Sequence, residues 1–251
     1  MKNLFKWKCT KQTVLALGVG IIMILLSVSM IPFKKEGISN KVVCFILRDV
    51  CMIFGLGICF VSAYCKKYNA WKELGITKVR LKRSFVLNGV FAVMLFAMFL
   101  SEGVPSGLLT IENFYAAAYI LVAGIFEMLF IYGFLRMEIE KAFGIVPAIV
   151  LTAVLYSFHH AGFQPEFLHL FWVGIMYVSV FYITHSLWII FPFFWGVGAL
   201  WDVIVDSSAG EGLKNCFSFT VALIILLGSV FWFKFIYSKS QSLGMIKEEN
   251  D

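Results

Sequence analysis

Four ionisable side chains of this 251-residue chain lie inside long apolar runs, where a charge is costly and usually serves a function. Glu127 sits in the middle of the run Ala-Gly-Ile-Phe-Glu-Met-Leu-Phe-Ile-Tyr-Gly. His159 and His160 stand near the end of a second run, and Asp202 ends the run Trp-Gly-Val-Gly-Ala-Leu-Trp-Asp. Ionisable residues at membrane depth tend to face the interior of a helical bundle, so we expect these four to be buried.

A Glu and a His that meet in a dry cavity permit two interpretations. They can position a water molecule and remove its proton, with the carboxylate acting as a general base. They can equally hold each other as a neutral hydrogen-bonded pair that fixes the register of two helices. The residue types alone leave both interpretations open.

A zinc site is a further possibility, since imidazole and carboxylate groups are both zinc ligands. The chain contains no His-Glu-x-x-His sequence, however, and the adjacent His159 and His160 should point their rings apart on a helix. The sequence therefore predicts no metal ligands and no cofactor.

The elements that carry these residues are predicted to be membrane-spanning helices. The chain is 61% hydrophobic and 14% charged, whereas a soluble domain has about 25% charged residues. A spanning helix needs about 20 mostly apolar residues, and eight segments qualify: 13–32, 42–65, 84–101, 114–136, 145–163, 167–184, 186–204 and 217–237. The fold class is therefore all-α, a polytopic transmembrane helical bundle of about eight spans. Small residues should allow close helix approach, among them Gly124, Gly133, Gly174 and Gly196.

The basic residues predict the orientation of this bundle. Sixteen of the 21 Lys and Arg residues lie in the N-terminal tail, the 66–83 and 136–144 loops and the C-terminal region, and four lie in the opposite gaps. Basic loops remain on the cytoplasmic side, so both termini should be cytoplasmic in an integral protein of the cell membrane. The same distribution accounts for the net charge of +6, and no nucleic-acid partner is expected.

The order and spacing of the buried residues resemble the CPBP family, the CAAX prenyl proteases and bacteriocin-processing enzymes that are also called the Abi family. The family pattern is Glu-Glu-x-x-x-Arg on one helix, Phe-x-x-x-His on the next, and His-x-x-x-Asn/Asp two helices later. This chain offers Glu127-Met128-x-x-x-Tyr132, then Tyr156-x-x-x-His160, then Gly198-x-x-x-Asp202. Two flanking phrases, Trp71-Lys-Glu-Leu-Gly-Ile and Ser186-Leu-Trp, are also similar, so the likeness covers roughly residues 70–205.

This resemblance implies an intramembrane glutamic-type endopeptidase. In the family the first Glu and the His of the second motif are thought to activate the attacking water, and these roles would fall on Glu127 and His160. His159 is disfavoured because the residue four positions before it is Leu155, which is not aromatic. Glu127 lies nine residues from the end of its helix at Arg136, and His160 lies fifteen residues from the start of the next helix at Ile145. At a rise of 1.5 Å per residue, the two would differ in membrane depth by about 8 Å. We nevertheless expect both to face one cavity within reach of a shared water.

The departures from the family pattern have different weights. Met128 and Tyr132 replace a Glu and an Arg that would share one helix face, and losing both members of a buried ion pair can be nearly neutral. Gly198 stands where the third-motif His is expected, and losing an oxyanion donor typically costs a factor of about 10²–10³ in rate. Asp202 would then line the pocket, and His185 or His169 could supply the missing imidazole.

The resemblance implies a peptide or lipidated-protein substrate in contact with membrane lipids. The alternative is a catalytically weakened family member that acts as a bacteriocin-immunity or membrane scaffold protein by binding a partner. The expected division of the chain is two N-terminal transmembrane helices (1–69), a CPBP-like core (70–205), and a C-terminal transmembrane helix with a cytoplasmic tail (206–251).

Overall fold

The computed structural model describes residues 4–33, 37–76, 81–102, 110–160 and 165–188, which are helical apart from the segment 4–10 and short turns. Nine α-helices follow one another in these ranges: α1 Lys11–Ser29, α2 Ile38–Cys44, α3 Val61–Tyr68, α4 Trp71–Leu74, α5 Leu81–Glu102, α6 Ile111–Phe126, α7 Arg136–Phe143, α8 Ile145–His159 and α9 Phe167–Thr184. A 3₁₀ turn, Ile31–Phe33, follows α1. Two π-helical segments continue α-helices without a break: Phe45–Phe60 joins α2 to α3, and Glu127–Leu135 joins α6 to α7.

The all-helical prediction is confirmed for the described residues. Four helical stretches there are long and apolar enough to cross a membrane: Lys11–Phe33, Ile38–Tyr68, Ala117–Phe143 and Phe167–Thr184. The shorter apolar helix α8 and the 22-residue helix α5 coincide with two further predicted segments. The segments predicted at 186–204 and 217–237 lie almost entirely outside the described residues, so the count of about eight spans is not confirmed.

The predicted loop at 136–144 is wrong, because the helix that carries Glu127 continues through α7 to Phe143. The turn is limited to Gly144, whose φ of 93° favours glycine, and α8 begins at the next residue. From there α8 packs back against α7 and the π-helical segment Glu127–Leu135. The helices that hold Glu127 and the two histidines are therefore neighbours, as their short connection predicted.

The described residues fall into two compact units. One comprises the described parts of Met1–Gly75 together with Phe126–Ile183, and the other comprises the described parts of Ile76–Ile125 and Thr184–Asp251. In the first unit, α1 packs against the π-helical segment Phe45–Phe60 and against α7 and α8. Every residue of Glu127–Leu135 is buried, so this π-helical segment lies in the core of its unit.

Burial distinguishes the helix with Glu127 from the other candidate spans. In its most apolar window 83% of the residues are buried, against 28% for each of the first two spans and 33% for the last. Close approach contributes to this burial, because a Cβ added at Gly57 would lie 2.7 Å from Cδ2 of Phe126. Gly174 was also expected to allow a close approach. A Cβ added there would lie 3.0 Å from Cα of Ala153.

The segment before α1 pairs with the turn between α7 and α8 through backbone hydrogen bonds. The amides of Lys6 and Lys8 donate to the carbonyl oxygens of Phe143 and Ala142, at 3.0 and 2.8 Å. In return, the amide of Val146 donates to the carbonyl of residue 4 at 3.2 Å. The N-terminal segment is thus attached to the end of the helix that carries Glu127.

Candidate active site

Three of the predicted site residues converge in the first unit. Oε1 of Glu127 lies 3.1 Å from Nε2 of His159 and 3.7 Å from Nε2 of His160. The Glu127 and His159 side chains are buried, whereas that of His160 is 32% exposed. The separation of Glu127 from His160 agrees with the expectation that they lie within reach of a shared water. Their catalytic roles remain predictions.

Glu127 is the first residue of the π-helical segment, and aromatic side chains neighbour it there. The preceding residue, Phe126, stacks on Phe130 with ring centroids 5.6 Å apart and also contacts the His159 ring at 5.9 Å. Oε2 of Glu127 is buried and has no hydrogen-bond partner among the described side chains and backbone.

The two imidazoles are oriented by one backbone carbonyl. Nδ1 of His159 and Nδ1 of His160 each form a hydrogen bond with the carbonyl oxygen of Tyr156, the latter at 3.0 Å. A carbonyl oxygen can only accept, so both Nδ1 atoms carry a hydrogen, and in neutral rings both Nε2 atoms direct lone pairs to Glu127. The Ser27 hydroxyl on α1 donates to the carbonyl oxygen of His159 and fixes the end of α8.

The expectation that the two histidine rings point apart is wrong. Their centroids are 3.9 Å apart, and His159, which the sequence disfavoured, is the closer of the two to Glu127. The physical reason is that α8 ends at His159, and His160 is the C-cap with φ −80° and ψ 30°. The helical rotation between adjacent residues therefore no longer applies at this position, and one of the two reasons given against metal ligands is removed.

The residues that replace the family's ion pair are both buried, Met128 at 6% exposure and Tyr132 at 1%. Tyr132 packs against the rings of Tyr156 and Tyr177, with centroids 5.5 and 6.0 Å away. The Tyr156 ring in turn contacts that of His160 at 4.8 Å. Aromatic packing thus extends from the replaced ion pair to the histidines.

The third motif, Gly198-x-x-x-Asp202, contributes no observed contact to this site. Gly198 and Asp202 lie outside the described residues, and their roles remain predictions from the resemblance. His169 is exposed on α9, and His185 follows the end of α9 with a positive φ of 55°. Neither of the latter is among the residues grouped around Glu127.

Sequence reasoning missed a second buried polar cluster, centred on Arg136. Its Nη1 pairs with Oε2 of Glu140 at 2.8 Å, and its Nη2 donates to the carbonyl oxygens of Glu73 and Leu74 at 3.0 and 3.4 Å. The guanidinium also lies 3.8 Å from the centroid of the Phe181 ring. Arg136 therefore joins α7 to both α4 and α9. Helix α4 lies in the flanking phrase Trp-Lys-Glu-Leu-Gly. The i, i+4 spacing of Arg136 and Glu140 was the available signal.

The arrangement around Glu127 is suited to two kinds of chemistry. A carboxylate next to a neutral imidazole can position a water and accept its proton. The three side chains can also hold a metal ion, because Glu127, His159 and His160 each offer one ligand atom and these atoms lie within 4.8 Å of one another. Both possibilities use the same Nε2 and Oε1 atoms.

Comparison with known proteins gives one match. The family model of the type II CAAX prenyl endopeptidase Rce1-like proteins matches residues 109–203, which include Glu127 and both histidines. The resemblance seen in the motifs is confirmed by this match, which supports membership of the CPBP family. No curated protein and no solved structure matches the chain.

Proposed function

We propose that this chain, whose family match supports CPBP membership, is a membrane endopeptidase that hydrolyses a peptide bond of a membrane-associated substrate. The match itself suggests a CAAX protease-type endopeptidase, and the glutamic mechanism goes beyond it. The observation that carries the mechanism is the buried Glu127 carboxylate, with Oε1 3.7 Å from Nε2 of His160 and Oε2 without a hydrogen-bond partner among the described residues.

In this mechanism one water molecule is shared by Glu127 and His160. Nε2 of His160 accepts one hydrogen bond from the water and orients it, while the Glu127 carboxylate removes the other proton. The water oxygen bonds to the carbonyl carbon of the substrate. Glu127 then gives the proton to the amide nitrogen as the C–N bond breaks, which leaves a carboxylic acid and an amine.

His159 has a positioning role in this proposal. Its Nε2 lies 3.1 Å from the same carboxylate oxygen, and its Nδ1 shares the carbonyl of Tyr156 with His160. This contact is a hydrogen bond when Oε1 carries the proton taken from the water, and it then holds the Glu127 side chain in one orientation. By resemblance alone, Asp202 lines the substrate pocket.

The family match suggests a prenylated peptide as the substrate and a membrane as its setting. A prenyl chain would dissolve in the hydrocarbon core and bring the peptide to the depth of Glu127. We also propose that both termini are cytoplasmic, because sixteen of the 21 Lys and Arg residues lie in the terminal regions and in the 66–83 and 136–144 segments, which the predicted topology puts on one side. A reporter fused to the C-terminus should read cytoplasmic, and an external reading would overturn this orientation.

The test is hydrolysis by the purified full-length chain in lipid nanodiscs, with a prenylated peptide and a leader-bearing peptide as substrates. Glu127→Gln keeps the shape of the side chain but cannot accept a proton, so the rate should fall by a factor of about 10²–10⁴. Glu166→Gln, on an exposed Glu just before α9, is the matched control and should retain the full rate. Equal rates for the two variants would overturn the proposal.

A second candidate is a partner-binding protein without turnover, such as an immunity or scaffold protein. The observation that favours it is Gly198 at the position of the third-motif His, since losing an oxyanion donor typically costs a factor of about 10²–10³ in rate. This candidate predicts that the chain cleaves neither peptide and that Glu127→Gln leaves its biological function unchanged. Those two results together would replace the enzymatic proposal.

A further inference from the structure

We infer that the Tyr132 hydroxyl is the hydrogen-bond donor that stabilises the negative charge on the substrate carbonyl oxygen during hydrolysis. The inference rests on the proposed function and adds a catalytic residue to it. Until this point Tyr132 has been a residue whose ring fills the space of an ion pair. Its hydroxyl has a separate role, which follows from the hydrogen bonds of the groups around Glu127.

The groups assembled at the site present acceptors to the reacting atoms. Nδ1 of each histidine donates to the Tyr156 carbonyl, so in neutral rings Nε2 of His159 and Nε2 of His160 present lone pairs. The ionised Glu127 carboxylate also accepts. When the water oxygen bonds to the carbonyl carbon, an electron pair of the C=O bond moves to the carbonyl oxygen, and a preorganised donor is needed there. None of these three side chains supplies one.

Two serine hydroxyls near the histidines already have acceptors. Ser27 donates to the carbonyl oxygen of His159, and Ser157 donates to the carbonyl oxygen of Phe167 at 2.5 Å. Both hydroxyls are therefore occupied in fixing the backbone at the end of α8. They cannot serve a substrate without giving up those bonds.

The Tyr132 hydroxyl is buried and makes no hydrogen bond to any described group. The phenol of Tyr156 is a polar neighbour that does not reach hydrogen-bond geometry with it. Leaving a buried donor unsatisfied costs about 1–3 kcal/mol, and such a group calls for an explanation. Gly198, at the position of the third-motif His, has no side chain that could donate in its place. Tyr132 has the hydrogen that the site otherwise lacks.

The π-helical segment Glu127–Leu135 places Tyr132 on the same face as Glu127. The two residues are five positions apart, and in a π-helix the hydrogen bonds join residues at that spacing, one turn above another. In an α-helix of 3.6 residues per turn they would point about 140° apart. Aromatic side chains on a helix also lean over the preceding turn, which directs the Tyr132 phenol back toward the level of Glu127.

Ring contacts join Tyr132 to the histidines. Its ring centroid lies 5.5 Å from that of Tyr156, and the Tyr156 centroid lies 4.8 Å from that of His160. The Tyr132 phenol also interacts electrostatically with the Glu127 carboxylate. The His160 side chain is 32% exposed, so a peptide carbonyl can approach the cluster from its side. A second ring contact, with Tyr177 at 6.0 Å, holds the Tyr132 ring in place.

During the reaction Tyr132 keeps its proton. Its O–H donates to the carbonyl oxygen as the new C–O bond forms and the charge on that oxygen grows. When the C–N bond breaks, the electron pair returns to the carbonyl and the hydrogen bond weakens. The proton for the leaving amine still comes from Glu127. Because the bond is strongest when the charge is greatest, it lowers the barrier and contributes little to substrate binding.

The test separates the hydroxyl from the ring. Tyr132→Phe keeps the ring and removes only the donor, so in nanodiscs kcat should fall by a factor of about 10²–10³. The ratio kcat/KM should fall equally, because the interaction exists only in the transition state. Tyr64→Phe is the matched control, since Tyr64 is also buried and its ring contacts Phe134 at 4.8 Å, and it should keep the full rate.

Binding of two inhibitors tests the same hydroxyl without turnover. One is a peptidyl trifluoromethyl ketone, whose hydrate resembles the tetrahedral intermediate, and the other is an uncleavable peptide with a reduced amide bond. Tyr132→Phe should weaken binding of the ketone by about the factor lost in kcat/KM and leave the peptide unaffected. Equal weakening of both would mean that the packing was disturbed, and would overturn the inference.

The rates distinguish this inference from the proposed function. Full hydrolysis by Tyr132→Phe, together with loss of hydrolysis in Glu127→Gln, would overturn the donor and leave the peptidase standing. A chain that cleaves neither peptide would overturn both. Loss of kcat in both variants, with Tyr64→Phe fully active, would support both.

Discussion

Glu127 and Arg136 stand nine residues apart on one continuous helical stretch, and both are buried, with exposures of 6% and 3%. Their surroundings differ in kind. The Arg136 guanidinium is bonded through Nε, Nη1 and Nη2 to the Tyr132 carbonyl, the Glu140 carboxylate and the backbone of α4. Oε1 of Glu127 faces the Nε2 atoms of two histidines, and its Oε2 has no hydrogen-bond partner in the described part of the chain.

This difference separates structural burial from functional burial. A buried charge with all its hydrogen bonds made contributes to a defined fold, whereas one left partly unsatisfied calls for a specific explanation. Arg136 ties α4, α7 and α9 together. Glu127 keeps a buried carboxylate oxygen without a hydrogen-bond partner among the described groups, which is what a group that binds a water or a proton requires.

The largest effect on stability is expected from Arg136→Ala. Removing this guanidinium leaves the carbonyl oxygens of Glu73 and Leu74 without this donor, and the Glu140 carboxylate keeps the hydrogen bond from the Tyr182 hydroxyl. Loss of one member of a buried pair costs about 3–5 kcal/mol in the free energy of unfolding, and the 23% exposure of Glu140 puts this variant at the lower end of that range. Thermal unfolding in a fixed detergent measures this, and activity per folded molecule should persist. An unfolding midpoint equal to that of the unmodified chain would contradict the structural role assigned to Arg136.

A smaller loss of stability is expected from Gly174→Ala, because the added methyl group presses on α8, the helix that carries the histidines. The added Cβ would lie 3.0 Å from Cα of Ala153 and 3.1 Å from Cδ1 of Tyr156. Overpacking of this kind costs about 1–3 kcal/mol in the free energy of unfolding. The control is Gly18→Ala on α1, where a Cβ meets nothing within 4 Å and the chain should gain roughly 0.5–1 kcal/mol. Identical behaviour of the two variants would contradict the packing described for α8 and α9.

Glu127→Gln should change stability least among the buried positions. It removes a poorly satisfied carboxylate and keeps its shape, so the free energy of unfolding should stay the same or rise by up to about 2 kcal/mol. The same unfolding assay applies. A destabilisation as large as that of Arg136→Ala would mean that Glu127 is a structural residue, whatever the hydrolysis assay shows.

The smallest effect is expected at the rim of the Arg136 cluster. Glu73 pairs with Lys141 at 2.6 Å, but their side chains are 58% and 44% exposed. Exposed ion pairs contribute about 0–1 kcal/mol, so Glu73→Gln should lower the free energy of unfolding by no more than that. A double-mutant cycle with Lys141→Met isolates the pair, and a coupling well above this range would show that the cluster extends to the surface.

The sequence predicted the helices of the described region well, because lipid requires long apolar runs with internally bonded backbones. The end of α9 at Thr184 and the meeting of Glu127 with His160 were both expected. The direction of the His159 ring was not, since it depends on where α8 stops. Burial of Arg136 was missed because its carbonyl acceptors lie more than sixty residues away, in a segment that sequence placed in a basic loop. Close approach at Gly57 depends on the equally distant Phe126, so no local pattern could show it.

The backbone pairing of the N-terminal segment has a consequence for the order of synthesis. Lys6 and Lys8 bond to residues made about 135 positions later, so they leave the ribosome long before their partners exist. At about 5–20 residues per second, that delay is roughly 7–27 s. Meanwhile α1 must enter the membrane with its leading residues unpaired. The pairing closes only when Val146 emerges, and His159 follows thirteen residues later. Attachment of the N-terminal segment and completion of the histidine pair therefore belong to the same late stage of biogenesis.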